Sequence, residues 1–362
     1  DGAGQWVLAL EEVLPNLADP DPLVIDATPL GPGECFSYLV IDATGIPFGL
    51  EITGANKTIT GLAIRNALSH GLYIHGTGAH HNQLMCSYVV YNNGDGIHIS
   101  AGASGNTIGS TAASEPNVIG YNADDGVEIT NAASGNTLVN NHIGTNLDGT
   151  ASYANGGYGV SLTGGAIENK VGLDQREYSN LISGNSEGGV LISGQATREN
   201  VVQNNRIGTN AAGSTALDSQ PDGVLIGDAP DNIIGPGNLI SGHAQDGVRI
   251  EDGHATGNLV KGNLIGTDAD GKSRVSNQRM GILLKSEAHS NTIGTASSGN
   301  VISGNGYDGD FAFYGGVAID GSNQNELCNN IIGLSADGLS ALPNADDGVS
   351  LFNYAQRNVV GQ

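Results

Sequence analysis

The chain has 362 residues, including 57 glycines, and 37 acidic against 13 basic residues give it a net charge of −24. This charge disfavours binding to nucleic acid and to anionic membranes, and it suits cations or basic partners. No apolar run approaches the roughly 18 residues that a membrane span requires.

Cysteine usage leaves the compartment of the protein open, whereas the amino terminus and the composition bear on it. The three cysteines, Cys35, Cys86 and Cys328, lack metal-type spacing, and any pair leaves one over, so a disulfide framework is not expected. The sequence starts at Asp1 without methionine, which allows for a cleaved leader. Together with the Asn- and Gly-rich, Lys-poor composition, this favours a secreted or cell-surface location.

Residues 1–34 are the least repetitive part and are predicted to form an N-terminal cap with the first strands. Gln5 to Leu14 has apolar residues on one helical face and is followed by Pro15, which predicts a helix. A solenoid exposes its first rung as a sheet edge, so an amphipathic cap over that edge is expected. Leu23–Ala27 is predicted to be a first strand.

Residues 35–362 are predicted to form an all-β repeat domain of about 11 coils. A strand of the form Gly-apolar-X-apolar-X recurs, with two further short apolar strands between copies, so each unit holds three strands. This is the unit of a parallel β-helix, in which equivalent residues stack about 4.8 Å apart. The array is expected to stop partway through a coil at Gly361 and Gln362. The recurring strands begin at Gly49, Gly71, Gly96, Gly126, Gly159, Gly189, Gly223, Gly247, Gly281, Gly316 and Gly348.

An asparagine opens one apolar triplet in each unit, and its copies are predicted to form a ladder of stacked amides. An amide donates and accepts, so each copy can bond its neighbours above and below. Four loops that begin at Gly144, Gly208, Gly266 and Gly333 are predicted to project along one edge. The predicted ladder comprises Asn106, Asn136, Asn169, Asn200, Asn232, Asn258, Asn291, Asn325 and Asn358.

The DGVxI and NxIxGN phrases over residues 49–362 resemble the repeats of the pectate-lyase-like, right-handed parallel β-helix superfamily. They look most like the Gly/Asn-rich arrays of bacterial secreted and surface proteins. The resemblance implies a right-handed β-helix, and it leaves activity open because members include lyases, hydrolases, epimerases and arrays without known activity. The catalytic motifs of the enzymatic branches are not recognisable in this sequence. His243 stands where other copies carry asparagine and is interpreted as a varied repeat position.

Aspartates just before the strand glycine invite a search for paired carboxylates, but Asp-Gly is also a favoured turn pair. Stacked Asp95 with Asp125, and Asp222 with Asp246, should lie one coil apart and repel each other. A hard cation such as Ca²⁺ would relieve that repulsion. Asp268 and Asp270 are similar candidates. No cofactor is required by the sequence, and Ca²⁺ is the one cofactor it suggests.

Two further groups lie on the outward columns of the recurring strand. Tyr73, His75 and His98, with His80 and His81 nearby in sequence, could form a weak metal site or an acid–base pair, or be solvated. The weak catalytic candidates Arg249, Glu251, Lys285 and Glu287 cluster on adjacent coils. Lyase chemistry uses such residue types, but a surface lattice of salt bridges does too.

The clearest break in the repeat is Gly306–Gly315, which inserts roughly seven residues after the SGN turn. Aromatic side chains beside carboxylates are typical of a sugar-binding subsite, although a loop covering a gap in the core fits equally well. This segment is the best single candidate site in the sequence. The predicted ligand-binding residues are Tyr307, Asp308, Asp310, Phe311, Phe313 and Tyr314.

Two functions remain open. The uniform repetition favours an extracellular structural or adhesive β-helix within a larger surface protein or assembly, with polysaccharide or neighbouring surface-protein subunits as its partners. The alternative is a polysaccharide-acting lyase, glycoside hydrolase or epimerase with its site near residues 306–315.

Overall fold

The computed structural model describes residues 6–28, 39–111, 116–218, 220–306 and 314–361, which form three parallel sheets. Sheet A has 12 strands, sheet B has 11 and sheet C has 12. The only helix in these ranges is one 3-10 turn, Arg176–Tyr178. The strands are β1 Trp6–Ala9, β2 Leu23–Asp26, β3 Leu39–Asp42, β4 Leu50–Ile52, β5 Lys57–Thr60, β6 Leu62–Arg65, β7 Leu72–His75, β8 Gln83–Met85, β9 Tyr88–Val90, β10 Ile97–Ser100, β11 Thr107–Gly109, β12 Asn117–Gly120, β13 Val127–Ile129, β14 Thr137–Val139, β15 Asn141–Ile143, β16 Tyr158–Leu162, β17 Lys170–Val171, β18 Leu181–Ile182, β19 Gly188–Ser193, β20 Val201–Val202, β21 Arg206–Ile207, β22 Asp222–Gly227, β23 Ile233–Ile234, β24 Leu239–Ile240, β25 Val248–Glu251, β26 Leu259–Val260, β27 Leu264–Ile265, β28 Ile282–Lys285, β29 Thr292–Ile293, β30 Val301–Ile302, β31 Val317–Asp320, β32 Glu326–Leu327, β33 Ile331–Ile332, β34 Val349–Phe352 and β35 Val359–Val360.

Each turn of the chain visits the three sheets in order, so every strand pairs in parallel with strands one coil before and after it. Sheet A follows the order β1-β3-β6 and continues to β33, sheet B runs from β4 to β34, and sheet C from β2 to β35. The chain thus has the parallel β-helix architecture that the repeat predicts.

The recurring glycine is fixed by the packing inside the coil. A side-chain Cβ at Gly96 would lie 2.6 Å from Nδ2 of Asn122 and 2.7 Å from the carbonyl oxygen of Gly126 in the next coil. The following apolar residues, such as Ile97 and Val127, are fully buried and stack in register. The core is therefore a set of columns in which one residue type suits each position.

The predicted N-terminal helix over Gln5–Leu14 is wrong. Trp6–Ala9 is a strand, β1, which pairs in register with Leu39–Asp42. A helix of about ten residues is marginal in water, whereas the edge of sheet A supplies backbone partners for four residues. Leu10 and Leu14, which were expected on the helix face, still pack against the core.

The predicted asparagine ladder is confirmed, and it is one of three. Nδ2 of Asn106 donates to Oδ1 of Asn136 (2.9 Å) and to the carbonyl of Ala79 (3.0 Å), so one side chain joins three coils. A second ladder runs from Asn117 through Asn141, Asn180, Asn205, Asn238, Asn263 and Asn300 to Asn330. A third runs from Asn92 through Asn122, Asn155, Asn185, Gln220, His243, Asn277 and Asn305 to Asn344.

His243 replaces an asparagine of the third ladder and keeps its hydrogen bonds. Its fully buried ring lies 2.6 Å from Oδ1 of Asn277 through Nδ1 and 3.3 Å from Nε2 of Gln220 through its own Nε2. Because a carbonyl oxygen only accepts and an amide nitrogen only donates, the neutral Nδ1–H tautomer satisfies both contacts. Burial lowers the pKa of His243 to about 4.

The four loops that begin at Gly144, Gly208, Gly266 and Gly333 project along one edge, as the sequence predicts. Each closes with an antiparallel bridge, for example Thr145 with Ser152 and Thr209 with Ala216. Successive loops also bond to each other, because the N–H of Ala211 donates to the carbonyl of Gly149. Within the described residues no helix has the length and apolarity needed to cross a membrane.

Candidate functional site

The outward face of sheet B carries a cluster of imidazole, carboxylate and aromatic side chains near its N-terminal end. Parallel register places Tyr73 of β7, His98 of β10 and Glu128 of β13 side by side on successive coils. Neighbouring strands in a parallel sheet lie about 4.8 Å apart, so these outward side chains are in contact. The sequence predicts the columns, and the structure shows what surrounds them.

Asp95 lies at the centre of this cluster and is almost fully buried. Its Oδ2 lies 2.8 Å from Nδ1 of His98 and 3.1 Å from Nδ1 of His70. The buried Nδ1 of His70 nevertheless lies outside hydrogen-bonding geometry, so one carboxylate oxygen faces two imidazoles and bonds one. Nδ1 of His98 also lies 2.9 Å from Oε2 of Glu128.

These contacts shift the ionisation of both partners. Burial opposes the charge of Asp95, but contacts with His70 and His98 outweigh it and lower the pKa of Asp95 to about 2. Burial also opposes the charge of His98, and Asp95 and Glu128 outweigh it by raising the pKa of His98 to about 9. Opposite charges at contact distance favour the ionised form of each group.

The aromatic part of the cluster is centred on Tyr73. Its ring stacks on His75 at 4.0 Å between centroids and contacts Phe48 at 4.8 Å. Nε2 of His75 lies 2.7 Å from Oε1 of Glu51, the residue that pairs with Tyr73 from β4. All four side chains are partly exposed, so the surface combines ring faces with charged edges. Phe48, Tyr73 and His75 together form an aromatic platform.

The prediction grouped Tyr73, His75 and His98 correctly, and the structure adds His70, Glu51 and Asp95 to them. His70 occupies the column one residue before the strand glycine, directly before Asp95 and Asp125. Extending that aspartate column one coil back would have found it. His80 and His81 instead contact each other just before β8, with their Nδ1 atoms 2.9 Å apart.

The weak catalytic candidates form a second cluster further along sheet B. Arg249 lies 3.0 Å from Asp222 and 3.4 Å from Glu251, and Lys285 lies 3.1 Å from Glu251. This is the salt-bridge lattice that was the alternative interpretation of these residues. Glu287 is not part of it and lines an open surface cavity with His289 and Tyr354.

The aspartates that were candidate calcium ligands bond the backbone of the next coil. Oδ1 of Asp95 accepts the N–H of Asp125, and Oδ1 of Asp222 accepts that of Asp246. Arg249 compensates Asp222, as the histidines compensate Asp95. Burial raises the pKa of Asp125 to about 7 and that of Asp246 to about 6.

The aspartates of the Gly266–Gly271 loop are explained by a turn. Oδ1 of Asp268 accepts the N–H groups of Lys272 and Ser273. Asp270 is exposed in the same turn. Binding of Ca²⁺ at any of the six aspartates stays a prediction.

Most of the loop that was the best candidate site in the sequence, Tyr307 to Phe313, lies outside the described residues. At its end the guanidinium of Arg279 lies 6.0 Å from the ring centre of Tyr314. The structure gives the state of two of the three cysteines. Cys86 is disulfide-bonded and Cys328 is a thiol. Cys35 lies outside the described residues.

Comparison with known proteins places this fold among solved structures. No family model matches the sequence, and no curated protein matches it. The Dettilon tailspike protein superimposes with a TM-score of 0.60 and 16% identity over 97% of this chain, which spans 62% of the tailspike. The A-module of the Azotobacter vinelandii mannuronan C-5 epimerase AlgE4 superimposes with a TM-score of 0.51 and 13% identity, covering 99% of this chain and 92% of the module.

This chain and these two proteins share the β-helical coil. This chain has the fold of the right-handed parallel β-helix proteins. At these identities the similarity concerns the fold alone, and the chemistry of this β-helix has to be argued from its own side chains.

Proposed function

We propose that this β-helix is a secreted or cell-surface protein that binds polysaccharide through the aromatic platform on sheet B. The observation that carries the proposal is the contact of Tyr73 with His75, stacked at 4.0 Å, and with Phe48, tilted at 4.8 Å, with Glu51 beside His75. Sugar rings pack their C–H faces on aromatic rings while their hydroxyls bond to carboxylates and imidazoles. The platform brings aromatic and charged groups together on a partly exposed surface.

The charge of the platform favours neutral polysaccharides. Glu51 contacts His75 of the platform, Asp95 and Glu128 contact the neighbouring His98, and the whole chain carries a net charge of −24. A polyuronate would meet a field of its own sign unless cations screened it. The proposal therefore specifies uncharged glycans, and it retains the adhesive role that the uniform repeat favours.

Structural neighbours support polysaccharide in general as the ligand, and the preference for neutral chains rests on charge alone. One of them is named for mannuronan, a polysaccharide, and is built on the same coil. The repeat also provides a long regular surface on which successive sugar units of a chain can lie.

A second candidate function is cleavage or epimerisation of a bound polysaccharide. The observation that favours it is the pair of Glu51 and His75, in which a carboxylate oxygen lies 2.7 Å from Nε2 of the imidazole. A carboxylate that accepts one N–H of histidine orients the ring and leaves Nδ1 as the basic atom. Tyr73, stacked on that ring, is a candidate acid.

The direct experiment is affinity electrophoresis of the purified chain in gels that contain one polysaccharide each. Neutral glucan and galactomannan gels are expected to retard the protein, and polygalacturonate or polymannuronate gels without divalent cations are not. Absence of retardation in every gel would contradict polysaccharide binding. New reducing ends or unsaturated uronates in the same samples would establish the second candidate.

A further inference from the structure

The strongest unexplained feature of the molecule is the convergence of nitrogen and oxygen atoms around Asp95. We propose that His70, Asp95 and His98 bind one Zn²⁺ ion through one donor atom each. One donor atom from each of the three residues lies within 4.8 Å of the other two. The inference uses no property of polysaccharide binding.

The distances suit an ion of this size. A tetrahedral Zn²⁺ with bonds of about 2.0–2.1 Å holds its donors roughly 3.3 Å apart. Oδ2 of Asp95 lies 2.8 Å from Nδ1 of His98 and 3.1 Å from Nδ1 of His70. An opening of a few tenths of an ångström would accommodate the ion, without any change in the backbone register.

The unsatisfied nitrogen of His70 is the second observation. Its Nδ1 is buried and aimed at Asp95, yet it makes no hydrogen bond. A buried polar atom without a partner is costly, and a metal ion would give this nitrogen a partner. The ion would also remove the competition of two imidazoles for one carboxylate oxygen.

The surroundings hold the donors in place. Oδ1 of Asp95 accepts the backbone N–H of Asp125 at 3.1 Å, which directs Oδ2 towards the histidines. The rings of His70 and His98 stack at 4.3 Å, and His70 lies parallel to Phe48. Such outer contacts orient ligands in metal sites.

The donor chemistry selects the class of metal. Two imidazoles and one carboxylate suit Zn²⁺ and related late transition metals, whereas Ca²⁺ prefers six to eight oxygen ligands. The site therefore differs from the calcium sites predicted from aspartates alone, although Asp95 belongs to both.

The test is calorimetric titration of Zn²⁺ into untagged, chelator-treated protein at neutral pH. One equivalent is expected to bind, and Co²⁺ in its place is expected to give the visible absorption of a four-coordinate ion. His70→Asn and the double variant with His98→Asn should bind at least tenfold more weakly, since even outer-contact changes cost 10–100-fold. The single variant suffices if the double variant does not fold, because His70 Nδ1 bonds nothing.

His75→Asn is the matched control, because His75 belongs to the platform but not to the donor set. It should bind Zn²⁺ like the wild type, and Ca²⁺ should not compete. The melting temperature of the wild type should rise with Zn²⁺, and that of His70→Asn should not. No binding by the folded wild type, or equal binding by wild type and His70→Asn, would overturn the proposal, whatever the polysaccharide assays give.

Discussion

Nδ1 of His98 lies 2.8 Å from Oδ2 of Asp95 and 2.9 Å from Oε2 of Glu128, so one imidazole joins carboxylates from two successive coils. This relationship follows from the register of sheet B, which pairs His98 with Glu128. It also shows why function and scaffold are separable here. The scaffold repeats in every coil, whereas this cluster occupies only the first coils of the sheet.

The asparagine ladder predicts a large cost for one buried amide. Oδ1 of Asn136 accepts two hydrogen bonds from Asn106, and its Nδ2 donates to Ala103 and Asn169. In Asn136→Ala the orphaned groups should lower the free energy of unfolding by roughly 3 kcal/mol or more. Urea denaturation followed by circular dichroism measures it. Asn93→Ala, at an exposed turn position, is the control and should change little.

The buried His243 predicts that the free energy of unfolding depends on pH, and a single substitution should remove this part of the dependence. Its pKa is about 4 in the native state and 6.5 in the unfolded chain, so the unfolded chain binds the proton first. Its contribution to stability is constant above pH 6.5 and is lost as the pH falls towards 4, by roughly 3 kcal/mol in all. His243→Asn restores the ladder residue and should remove this loss.

The measurement is the free energy of unfolding of both proteins between pH 7 and pH 4.5. Buried carboxylates such as Asp246 titrate in both proteins, so the difference between the two curves isolates His243. As the pH falls across this range, the free energy of unfolding of the variant should rise relative to that of the wild type by roughly 2 kcal/mol or more. Parallel curves would show that His243 does not resist protonation.

The Arg249 cluster predicts a structural role for the residues that were catalytic candidates. Asp222 is nearly buried beside Arg249, whereas Lys285 is about one-third exposed. Arg249→Met should cost about 3 kcal/mol because it leaves a buried charge uncompensated, and Lys285→Met less than about 1 kcal/mol. Thermal and urea unfolding compare the two. Equal costs, or a loss of polysaccharide binding in folded Arg249→Met, would contradict this assignment.

The fold could be predicted in detail because each coil packs only against the coils before and after it, and so needs the same residue types at the same positions. Gly96 has no room for a Cβ, and Asn106 must meet Asn136, so the same residue types return at each coil and are visible in the sequence. The helix at Gln5–Leu14 failed because that stretch precedes the repeat. Its fate depends on the free edge of Leu39–Asp42, which local periodicity does not report.

The candidate site could be predicted only in part. Tyr73, His75 and His98 share outward columns of a regular strand, so their proximity follows from the repeat. His70 occupies the same position before its strand glycine as Asp95, so the repeat contains this alignment, but the contact of the two side chains follows only from the packed coils. The environment that lowers the pKa of Asp95 and raises that of His98 is likewise a property of packed coils.

The most direct test of the central claim is calorimetric binding of the best-retained neutral polysaccharide to Tyr73→Ala and to Tyr354→Ala. Tyr73 is the middle ring of the platform, and Tyr354 is a more exposed tyrosine on a distant coil. Losing the stacking face should weaken binding by about 1–3 kcal/mol, or roughly 5- to 150-fold, in Tyr73→Ala alone. Equal affinity of folded Tyr73→Ala and wild type would contradict the account.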